Sequence, residues 1–546
     1  LTSIVRVNAN ELILNGNIST DGALDADAGG NVDLRGTNLV TLNANVIIDT
    51  GRGGVGLGFD AGDILFGQSS RVAGVGTLGL DAAGEAAGDI QINDADVTTI
   101  TIAGGTIDLF GTIESINAID LSGTAKIDLR DTTTLITTAD ERDINLDVPI
   151  TGEHELQVIS TGDVTMDTVG ELTGLTVTAD TMDFTGAVSM PGDISVTVTE
   201  QAPDPAIDVQ ATVDSTNGSV TLTSDAANST IELNADVSAG QNVRINGDVR
   251  LEGVAAGATI TITSDSGDVD LNGEINSSFF DLDNLTINAD DGTVFLQALG
   301  TDGGFGVNGR LGDVDINAVS AELSGDVDVS TLNTVDVGMA NLSVPVTIDA
   351  SGAGTAVDLG DIQGAEALVV TSTNAAGDVN VDGVDTFSLT VNSGRNVTLD
   401  EGISTIANID INAATGTVTV AAGGILNGGD ASAYDAAASS DGAGVAVDAD
   451  TIRTNVSVIN NSGSIDLAAS IDLDIDFDIT AAGSIDLDGD VSLTLATDAD
   501  VTAGGDITVN DDLLADGVPG TSKLTSENGD VTLSGDLSTD GANRDI

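Results

Sequence analysis

The sequence contains no cysteine and no tryptophan, and aromatic residues make up only 2% of its 546 residues. Without cysteine, neither a disulfide framework nor a thiolate metal site can form. Apolar residues still account for 40% of the chain, so a core can be buried. That core has to be thin and built from Val, Ile, Leu and Ala.

Basic residues are also scarce, because 14 Lys and Arg stand against 88 Asp and Glu and give a formal net charge of −74. Such a field repels nucleic acid and anionic lipid head groups, and it attracts cations. No apolar run approaches the length of about 18 residues that a membrane helix needs. We therefore expect no nucleic-acid partner and no membrane insertion.

A five-residue unit, Gly-x-(Val/Ile)-x-apolar, recurs along the chain. Its apolar residues alternate with Asp, Thr, Ser or Asn, which is the period-two pattern of a strand with one buried face. The leading glycine predicts a corner where the backbone needs a positive φ. Typical copies are Gly30-Asn-Val-Asp-Leu34, Gly88-Asp-Ile-Gln-Ile92, Gly162-Asp-Val-Thr-Met166, Gly267-Asp-Val-Asp-Leu271 and Gly529-Asp-Val-Thr-Leu533.

Successive copies arrive at intervals of roughly twenty to thirty residues, which suits one solenoid coil per interval. Further alternating runs, such as Val456-Ser-Val-Ile459 and Leu473-Asp-Ile-Asp-Phe477, lie between the glycine-led strands and predict two or three strands per coil. Two series show the spacing: Gly247, Gly267, Gly292 and Gly312, and then Gly463, Gly483, Gly505 and Gly529.

The predicted fold class is therefore all-β, a single long parallel β-helix (β-solenoid) of roughly 20–27 coils spanning residues 1–546. An antiparallel sandwich would favour tight Asn-Gly hairpins and a thicker, more aromatic core. Glycine-rich, proline-containing and Ala/Ser-rich stretches near 51–61, 201–206 and 427–450 predict loops that leave the stack.

One eight-residue segment near the start of the sequence recurs in similar form near its end. Gly16-Asn-Ile-Ser-Thr-Asp-Gly-Ala23 returns as Gly535-Asp-Leu-Ser-Thr-Asp-Gly-Ala542, at an offset of 519 residues. Either the chain enters a second copy of a long unit, and is then a segment of a longer repetitive protein, or two coils of a biased composition are alike by chance. Both interpretations stay open on sequence alone.

Strand units such as Gly463-Ser-Ile-Asp-Leu467 and Gly505-Asp-Ile-Thr-Val509, and the opening Leu12-Ile-Leu-Asn-Gly-Asn-Ile-Ser-Thr20, resemble the repeats of filamentous-haemagglutinin-type large exoproteins. The resemblance covers nearly the whole chain. It implies a right-handed β-helix, export across a bacterial outer membrane, and adhesion or fibre formation. The amino-terminal secretion domain of that family is not recognisable in this sequence.

Parallel β-helices also host enzymes that cut acidic polysaccharides, so an enzymatic site is one alternative. Such sites combine carboxylates with Arg or Lys and with aromatic residues for stacking, and this chain has few of either. The lone His154, between Glu153 and Glu155, is either a base flanked by carboxylates or a solvated histidine at a strand end, and we favour the second. We assign no catalytic, cofactor-binding or metal-binding residue and expect no enzymatic activity.

Calcium is the one ion that the sequence suggests. Asp472, Asp474, Asp476 and Asp478 alternate along one predicted strand, so their carboxylates should project from one face. Stacked coils could add further acids, namely Asp486, Asp488 and Asp490, and hard oxygen ligands suit Ca²⁺. The alternative is a solvated acidic face with diffuse cation screening, which we favour.

We therefore expect a structural or adhesive fibre segment at a bacterial cell surface. Its partners would be itself, by end-to-end or lateral association, further repeats of the same chain, and a host-cell, neighbouring-cell or matrix surface. A calcium-dependent surface-layer or matrix protein is the alternative, followed by a spike that binds or depolymerises polysaccharide.

Overall fold

The protein is described here from a computed structural model. It describes residues 4–20, 29–51, 60–84, 87–199, 205–225, 229–253, 257–277, 283–300, 311–333, 340–350, 356–372, 377–399, 403–405, 409–420, 426–428, 445–454, 458–460, 463–489, 492–496, 498–515 and 521–539. The chain divides into two compact units. Unit 1 comprises residues 1–254 and 260–272, and unit 2 comprises residues 255–259 and 273–546.

The described residues form β-strands and no helix, so none of them supplies a helix long and apolar enough to cross a membrane. The strands as far as Ser277 are β1 (Val5–Arg6), β2 (Glu11–Leu14), β3 (Ile18–Ser19), β4 (Val32–Leu34), β5 (Leu39–Leu42), β6 (Val46–Asp49), β7 (Ile64–Phe66), β8 (Arg71–Gly74), β9 (Thr77–Asp81), β10 (Ile90–Ile92), β11 (Ala95–Val97), β12 (Thr99–Ser115), β13 (Ile119–Thr137), β14 (Ile144–Leu146), β15 (Ile150–Thr151), β16 (Glu155–Ile159), β17 (Asp163–Met166), β18 (Val169–Gly170), β19 (Gly174–Ala179), β20 (Thr181–Phe184), β21 (Val188–Met190), β22 (Asp193–Val198), β23 (Ile207–Val209), β24 (Val213–Ser215), β25 (Val220–Ser224), β26 (Thr230–Leu233), β27 (Val237–Ala239), β28 (Val243–Asn246), β29 (Asp248–Leu251), β30 (Thr259–Ser264) and β31 (Val269–Ser277).

The remaining strands are β32 (Asn284–Leu299), β33 (Leu311–Leu323), β34 (Val327–Asn333), β35 (Ala340–Leu342), β36 (Val346–Asp349), β37 (Ala356–Leu359), β38 (Ile362–Gln363), β39 (Ala367–Ser372), β40 (Asp378–Val381), β41 (Val384–Thr386), β42 (Ser388–Ser393), β43 (Val397–Leu399), β44 (Ile403–Thr405), β45 (Ile409–Val420), β46 (Leu426–Gly428), β47 (Val445–Thr454), β48 (Val458–Asn460), β49 (Ile465–Ile475), β50 (Ile479–Ala481), β51 (Ile485–Gly489), β52 (Ser492–Leu495), β53 (Asp500–Ala503), β54 (Ile507–Val509), β55 (Leu513–Ala515), β56 (Lys523–Ser526), β57 (Val531–Leu533) and β58 (Leu537–Thr539).

Each unit is a parallel β-solenoid, which confirms the predicted fold class. Three strands make one turn, and each strand typically pairs in parallel with the strand three positions further along. In unit 1, β15 pairs with β18, β16 with β19 and β17 with β20. In unit 2, β50 pairs with β53, β51 with β54 and β52 with β55. The structure therefore has three strands per turn where the sequence allowed two or three.

The length of a turn follows from the register. One ladder of unit 1 connects Val5 to Ile262 in eleven pairings, an average of about 23 residues per turn. Individual turns range from 17 residues (Ile90 to Ile107) to 36 residues (Ile409 to Val445). The predicted interval of twenty to thirty residues is thus confirmed as the typical turn.

The core of each unit is a column of inward-facing aliphatic side chains. In the copy Gly30–Leu34, Val32 and Leu34 are fully buried, and the two aromatic residues Phe66 and Phe184 are fully buried as well. Burying one Val, Leu or Ile side chain contributes about 1.5–3 kcal/mol. A thin core can therefore stabilise each turn because every turn adds several such residues.

The glycines that lead the repeats do not have the backbone conformation that the sequence predicted. Among the quoted repeat glycines, only Gly247 has a positive φ, of 131°, so the prediction is wrong for the others. At several of them, the stacked coils approach too closely for a side chain. A Cβ at Gly88 would lie 2.2 Å from the Gly62 carbonyl oxygen, and one at Gly483 would lie 2.9 Å from the carbonyl of Gly463.

A serine three residues before the glycine completes several corners. The Ser215 hydroxyl donates to the Gly192 carbonyl at 2.7 Å and accepts the Gly218 N–H at 3.0 Å. Ser526 makes the same two contacts, to the Gly505 carbonyl and from the Gly529 N–H, at 2.8 and 2.9 Å. Each such hydroxyl joins one coil to the next and satisfies two backbone groups.

The predicted loop excursions fall largely outside the described residues. Near 51–61, the described residues are Gly51, Asp60 and Ala61; near 201–206, Ala206 is buried and its N–H donates to the Thr230 carbonyl at 2.9 Å. The edges of 427–450 belong to β46 and β47. The longest turn, from Ile409 to Val445, contains residues 429–444, which lie outside the described part. That residues 1–546 form one continuous solenoid, and that this β-helix is right-handed, both stay predictions.

Candidate functional site

The predicted calcium-binding strand is not formed as a single strand. Asp472 and Asp474 lie in β49, which ends at Ile475, whereas Asp476 and Asp478 lie in the bend before β50. Phe477, expected inside, is 48% exposed. The Asp478 carboxylate accepts the Asp500 N–H at 2.8 Å. The prediction that four carboxylates share one strand face is therefore wrong.

The register also separates the acids that were expected to join them. Asp486 lies beside Asp466, and Asp488 lies beside Ala468, on a different ladder from Asp472 and Asp474. Asp490 lies outside the described residues. Among the residues that the structure describes, no group of three His, Asp or Glu side chains is placed to hold a metal ion.

Many of the polar residues that follow the repeat glycines form what we call the amide ladder. In it, the side-chain oxygen of the residue after the glycine accepts the N–H of the equivalent residue in the next coil. In unit 1 the Asp63 carboxylate accepts the Asp89 N–H, and the Asp89 carboxylate accepts the Thr106 N–H, both at 3.1 Å. In unit 2 the Ser484 hydroxyl accepts the Asp506 N–H, and the Asp506 carboxylate accepts the Asp530 N–H.

The amide ladder gives these acids and amides a structural role. The alternation with apolar residues predicted only that these side chains lie outside the core, although the recurrence of Asp, Asn, Ser or Thr directly after glycine is the signal that could have identified their role. Hydrogen bonds to a charged acceptor contribute more than neutral ones, about 1.5–3 kcal/mol. A carboxylate so engaged is held against the backbone and is less available to an external ligand.

A second set of acids forms the carboxylate column, which consists of Asp183, Asp208 and Glu232 in register on one face of unit 1, followed by Arg250. Neighbouring side chains in such a ladder are separated by about 4.8 Å. The Asp208 carboxylate accepts hydrogen bonds from Gln210 at 2.7 Å and from Asn234 at 3.0 Å. Arg250 forms an ion pair with Glu232.

The carboxylate column shifts the pKa values of its members and of the neighbouring Glu252. Burial, followed by the negative charge of Asp208, raises the pKa of Asp183. Burial is also the largest cause that raises the pKa of Asp208. A hydrogen bond to Glu232, aided by burial, raises the pKa of Glu252 to about 7. Burial acts to raise the pKa of Glu232, but hydrogen bonds from Glu252 and Arg250 outweigh it and lower that pKa. The pair can therefore hold a proton close to neutral pH.

The few arginines connect adjacent coils. Arg130 contacts both Asp108 and Asp128, at 3.0 and 2.9 Å. Arg244 contacts Asp270 on the next strand at 2.9 Å. Each exposed ion pair contributes only about 0–1 kcal/mol, so the arginines mainly relieve repulsion where two acids meet.

His154 lies in the bend just before β16 and is partly buried, while its flanking Glu153 and Glu155 are exposed. Its backbone carbonyl accepts the Thr173 N–H from the next coil at 3.1 Å. This position fits the histidine at a strand end that the sequence favoured.

The coils at the two ends of the described chain expose apolar residues that other coils bury. In the last coil, Val531, Leu533 and Leu537 are 42%, 38% and 42% exposed, whereas Ile507 and Val509 of the coil before it are fully buried. In the first coil, Val5, Leu12 and Ile18 are partly exposed. In the described part of the chain, no further coil pairs with the outer side of either of these coils.

Comparison with protein-family models, with curated proteins and with solved structures finds no match for this chain.

Proposed function

We propose that this chain is a structural and adhesive segment of an extracellular bacterial surface fibre, similar in kind to the filamentous-haemagglutinin-type exoproteins. The observation that carries the proposal is the stacking itself. Three parallel ladders, an aliphatic core and the amide ladder repeat from coil to coil within each unit. Such an array gains stability from nearest-neighbour contacts and builds an extended surface.

The outer surface supports the same proposal. Its acidic side chains keep exposed strands from pairing laterally and keep a long protein soluble. The polar residues that could be taken for a binding site are instead used in coil-to-coil hydrogen bonds, as Asp63, Asp89 and Asp506 show. The function then depends on length, stiffness and surface, and export to the cell exterior is part of the proposal.

Adhesion of coated beads tests this function. Beads carrying the folded chain should attach to bacterial cells or to extracellular matrix, and beads carrying the heat-unfolded chain should not, because the unfolded chain has the same charge but no stacked surface. Chelator during the assay tests the calcium alternative, and release of reducing sugar from acidic polysaccharides tests the enzyme alternative. Equal attachment by folded and unfolded chain, or sugar release at an enzymatic rate, would contradict the proposal.

A further inference from the structure

Five successive coils of unit 1 form one ladder that no bulge interrupts. Its strands are β13, β16, β19, β22 and β25, and the register runs from Leu135 through Val158, Val177 and Val196 to Leu222. These five residues are at most 1% exposed. Because side chains alternate along a strand, the residues on either side of this buried column point outward. Two outward columns therefore run side by side over five coils.

We call the ten residues of these two columns the threonine face. All ten are at least partly exposed. None of them is charged, and seven of them are Thr or Ser. One column consists of Thr134, Gln157, Thr176, Ser195 and Thr221, and the other consists of Ile136, Ile159, Thr178, Thr197 and Thr223.

The lack of charge distinguishes the threonine face on a chain that has 88 acids. On the same five coils, both of the other ladders carry outward acids. One ladder has Asp120, Asp183 and Asp208, and the other has Asp128 and Asp214. The threonine face is therefore a neutral strip of unit 1 between two acidic ones.

The spacing of the threonine face is regular in two directions. Register partners on adjacent coils are about 4.8 Å apart, the two columns are about 6.6 Å apart, and the four steps between coils give a length of about 19 Å. The pattern is also stiff, because the strands are hydrogen-bonded on both sides and β-branched side chains such as Thr and Ile strongly prefer one χ1 rotamer. A regular, stiff pattern favours a ligand that is itself periodic.

The chemistry of the threonine face excludes several other kinds of ligand. It has no charged group to pair with an ion and no aromatic ring on which a sugar could stack. It is also far smaller than the roughly 800 Å² per partner that a stable protein interface buries. What remains is a neutral solid whose surface offers hydrogen bonds at fixed intervals.

We propose that the threonine face binds ice. Water oxygens on the prism face of hexagonal ice repeat in two perpendicular directions, at intervals close to those between the coils and between the two columns. A threonine hydroxyl both donates and accepts hydrogen bonds, so it can replace a lattice water, while its methyl group fills the hollow beside that water. Groups that are held in place before binding lose little freedom when they bind.

The match is most regular on three of the coils, where both columns carry a hydroxyl. These coils contribute the pairs Thr176 and Thr178, Ser195 and Thr197, and Thr221 and Thr223. On the two coils before them, Ile136 and Ile159 continue one column with the same branched Cβ. The absence of charge suits ice as well, since a charged side chain would have to give up its hydration to fit a solid lattice, which costs free energy.

Uptake of the folded full chain into slowly growing ice tests the proposal, because a growing crystal rejects solutes that do not bind to it. Amino-acid analysis of the melted ice and of the remaining liquid measures the uptake, with serum albumin as a reference that ice rejects. The two face variants are Thr178→Tyr and Thr197→Tyr. The matched control is Thr165→Tyr, at a partly exposed, outward position on β17 of the same unit. Thermal unfolding by circular dichroism verifies that each variant is folded.

We expect the unaltered chain and Thr165→Tyr to be enriched in the ice and to lower its freezing point below its melting point. Each face variant should be rejected as serum albumin is, because the tyrosine ring stands above the plane of the columns and keeps the lattice away. Rejection of the unaltered chain, or equal uptake by Thr165→Tyr and both face variants, would overturn the proposal. Retention of the unaltered chain on crystalline cellulose or chitin, together with rejection by ice, would assign the threonine face to a polysaccharide and would overturn it as well.

Discussion

Replacement of a stacked glycine should destabilise the solenoid through a steric contact between coils. At Gly88, a Cβ would lie 2.2 Å from the Gly62 oxygen and 2.6 Å from its carbonyl carbon. Both atoms belong to backbone that cannot move without opening the ladder. The neighbouring hydrogen bonds that would lengthen join the Asp89 N–H to Asp63 and the Ile64 N–H to the Asp89 carbonyl, at 3.1 and 3.0 Å.

Three contributions determine how much Gly88→Ala lowers the free energy of unfolding. Overpacking costs about 1–3 kcal/mol, and two weakened hydrogen bonds cost about 1 kcal/mol each. The lower entropy of the unfolded chain returns about 0.4–1 kcal/mol. Gly88→Ala should therefore lower the free energy of unfolding by about 2–5 kcal/mol.

Gly170→Ala is the matched control, because the nearest atom to its Cβ is the Ser189 oxygen at 3.8 Å. It should be neutral or stabilise by about 0.4–1 kcal/mol. Gly88→Asn distinguishes a steric cause from a conformational one, because Asn tolerates a positive φ but carries a Cβ. If the cause is steric, Gly88→Asn should lower the stability as much as Gly88→Ala does.

Hydrogen exchange followed by mass spectrometry measures the loss of protection locally, in strands β7 and β10, and denaturant unfolding measures the loss of global stability. A local measurement is needed because the turns of a repeat array can open separately. Equal protection in Gly88→Ala and Gly170→Ala, or tolerance of Gly88→Asn alone, would refute the steric explanation.

Three further outcomes are expected. Asp506→Ala should lower stability by about 1–3 kcal/mol, whereas Asp506→Ser should retain most of it because Ser484 fills the equivalent position; equal losses in a denaturant titration would contradict the amide ladder. Because the pKa of Glu252 is raised to about 7, its stabilising contribution is full below pH 4.5 and is lost as pH rises through about 7. Glu252→Gln keeps a hydrogen-bond donor at all pH values, so the variant should gain stability relative to the unaltered chain across that range. A pH-independent difference between the two proteins would contradict the pairing with Glu232. Calcium and magnesium at equal ionic strength should raise the unfolding temperature equally by diffuse screening, and a rise specific to calcium that chelator reverses would indicate a bound ion.

Much of the fold could be predicted because the repeats combine two signals. Alternation of apolar and polar residues identified strands such as β4, β10 and β17, and the interval between glycines gave the length of a turn. Neither signal depends on distant contacts. The conformation of the glycines was predicted wrongly because a close approach between coils and a positive φ both select glycine, and sequence alone does not distinguish them.

The prediction that four carboxylates share one strand face was wrong for a different physical reason. The run from Ile471 to Ile479 alternates without a glycine to mark the corner, so the bend at Asp476 could not be located from the pattern. The pairing of Asp486 with Asp466, and not with Asp472, depends on the register between turns. The register between two coils depends on the length of each corner, and that length varies from coil to coil.

The position of a charge around and along the solenoid explains how so acidic a chain can stack. Acids two residues apart in a strand are separated by about 6.6 Å, whereas register partners on adjacent coils are separated by about 4.8 Å, so repulsion is strongest between residues one turn apart. In the column that includes Asp120 and Asp183, the two intervening positions are the neutral Asn145 and Thr165.

At some positions where two acids are register partners, an arginine contacts them. Asp108 and Asp128 are adjacent on β12 and β13, and Arg130 contacts both. Along the carboxylate column, the pKa values of Asp183 and Asp208 are raised, and Arg250 follows Glu232. In these columns, neutral register partners therefore separate some of the acids and an arginine contacts others, which limits repulsion between residues one turn apart.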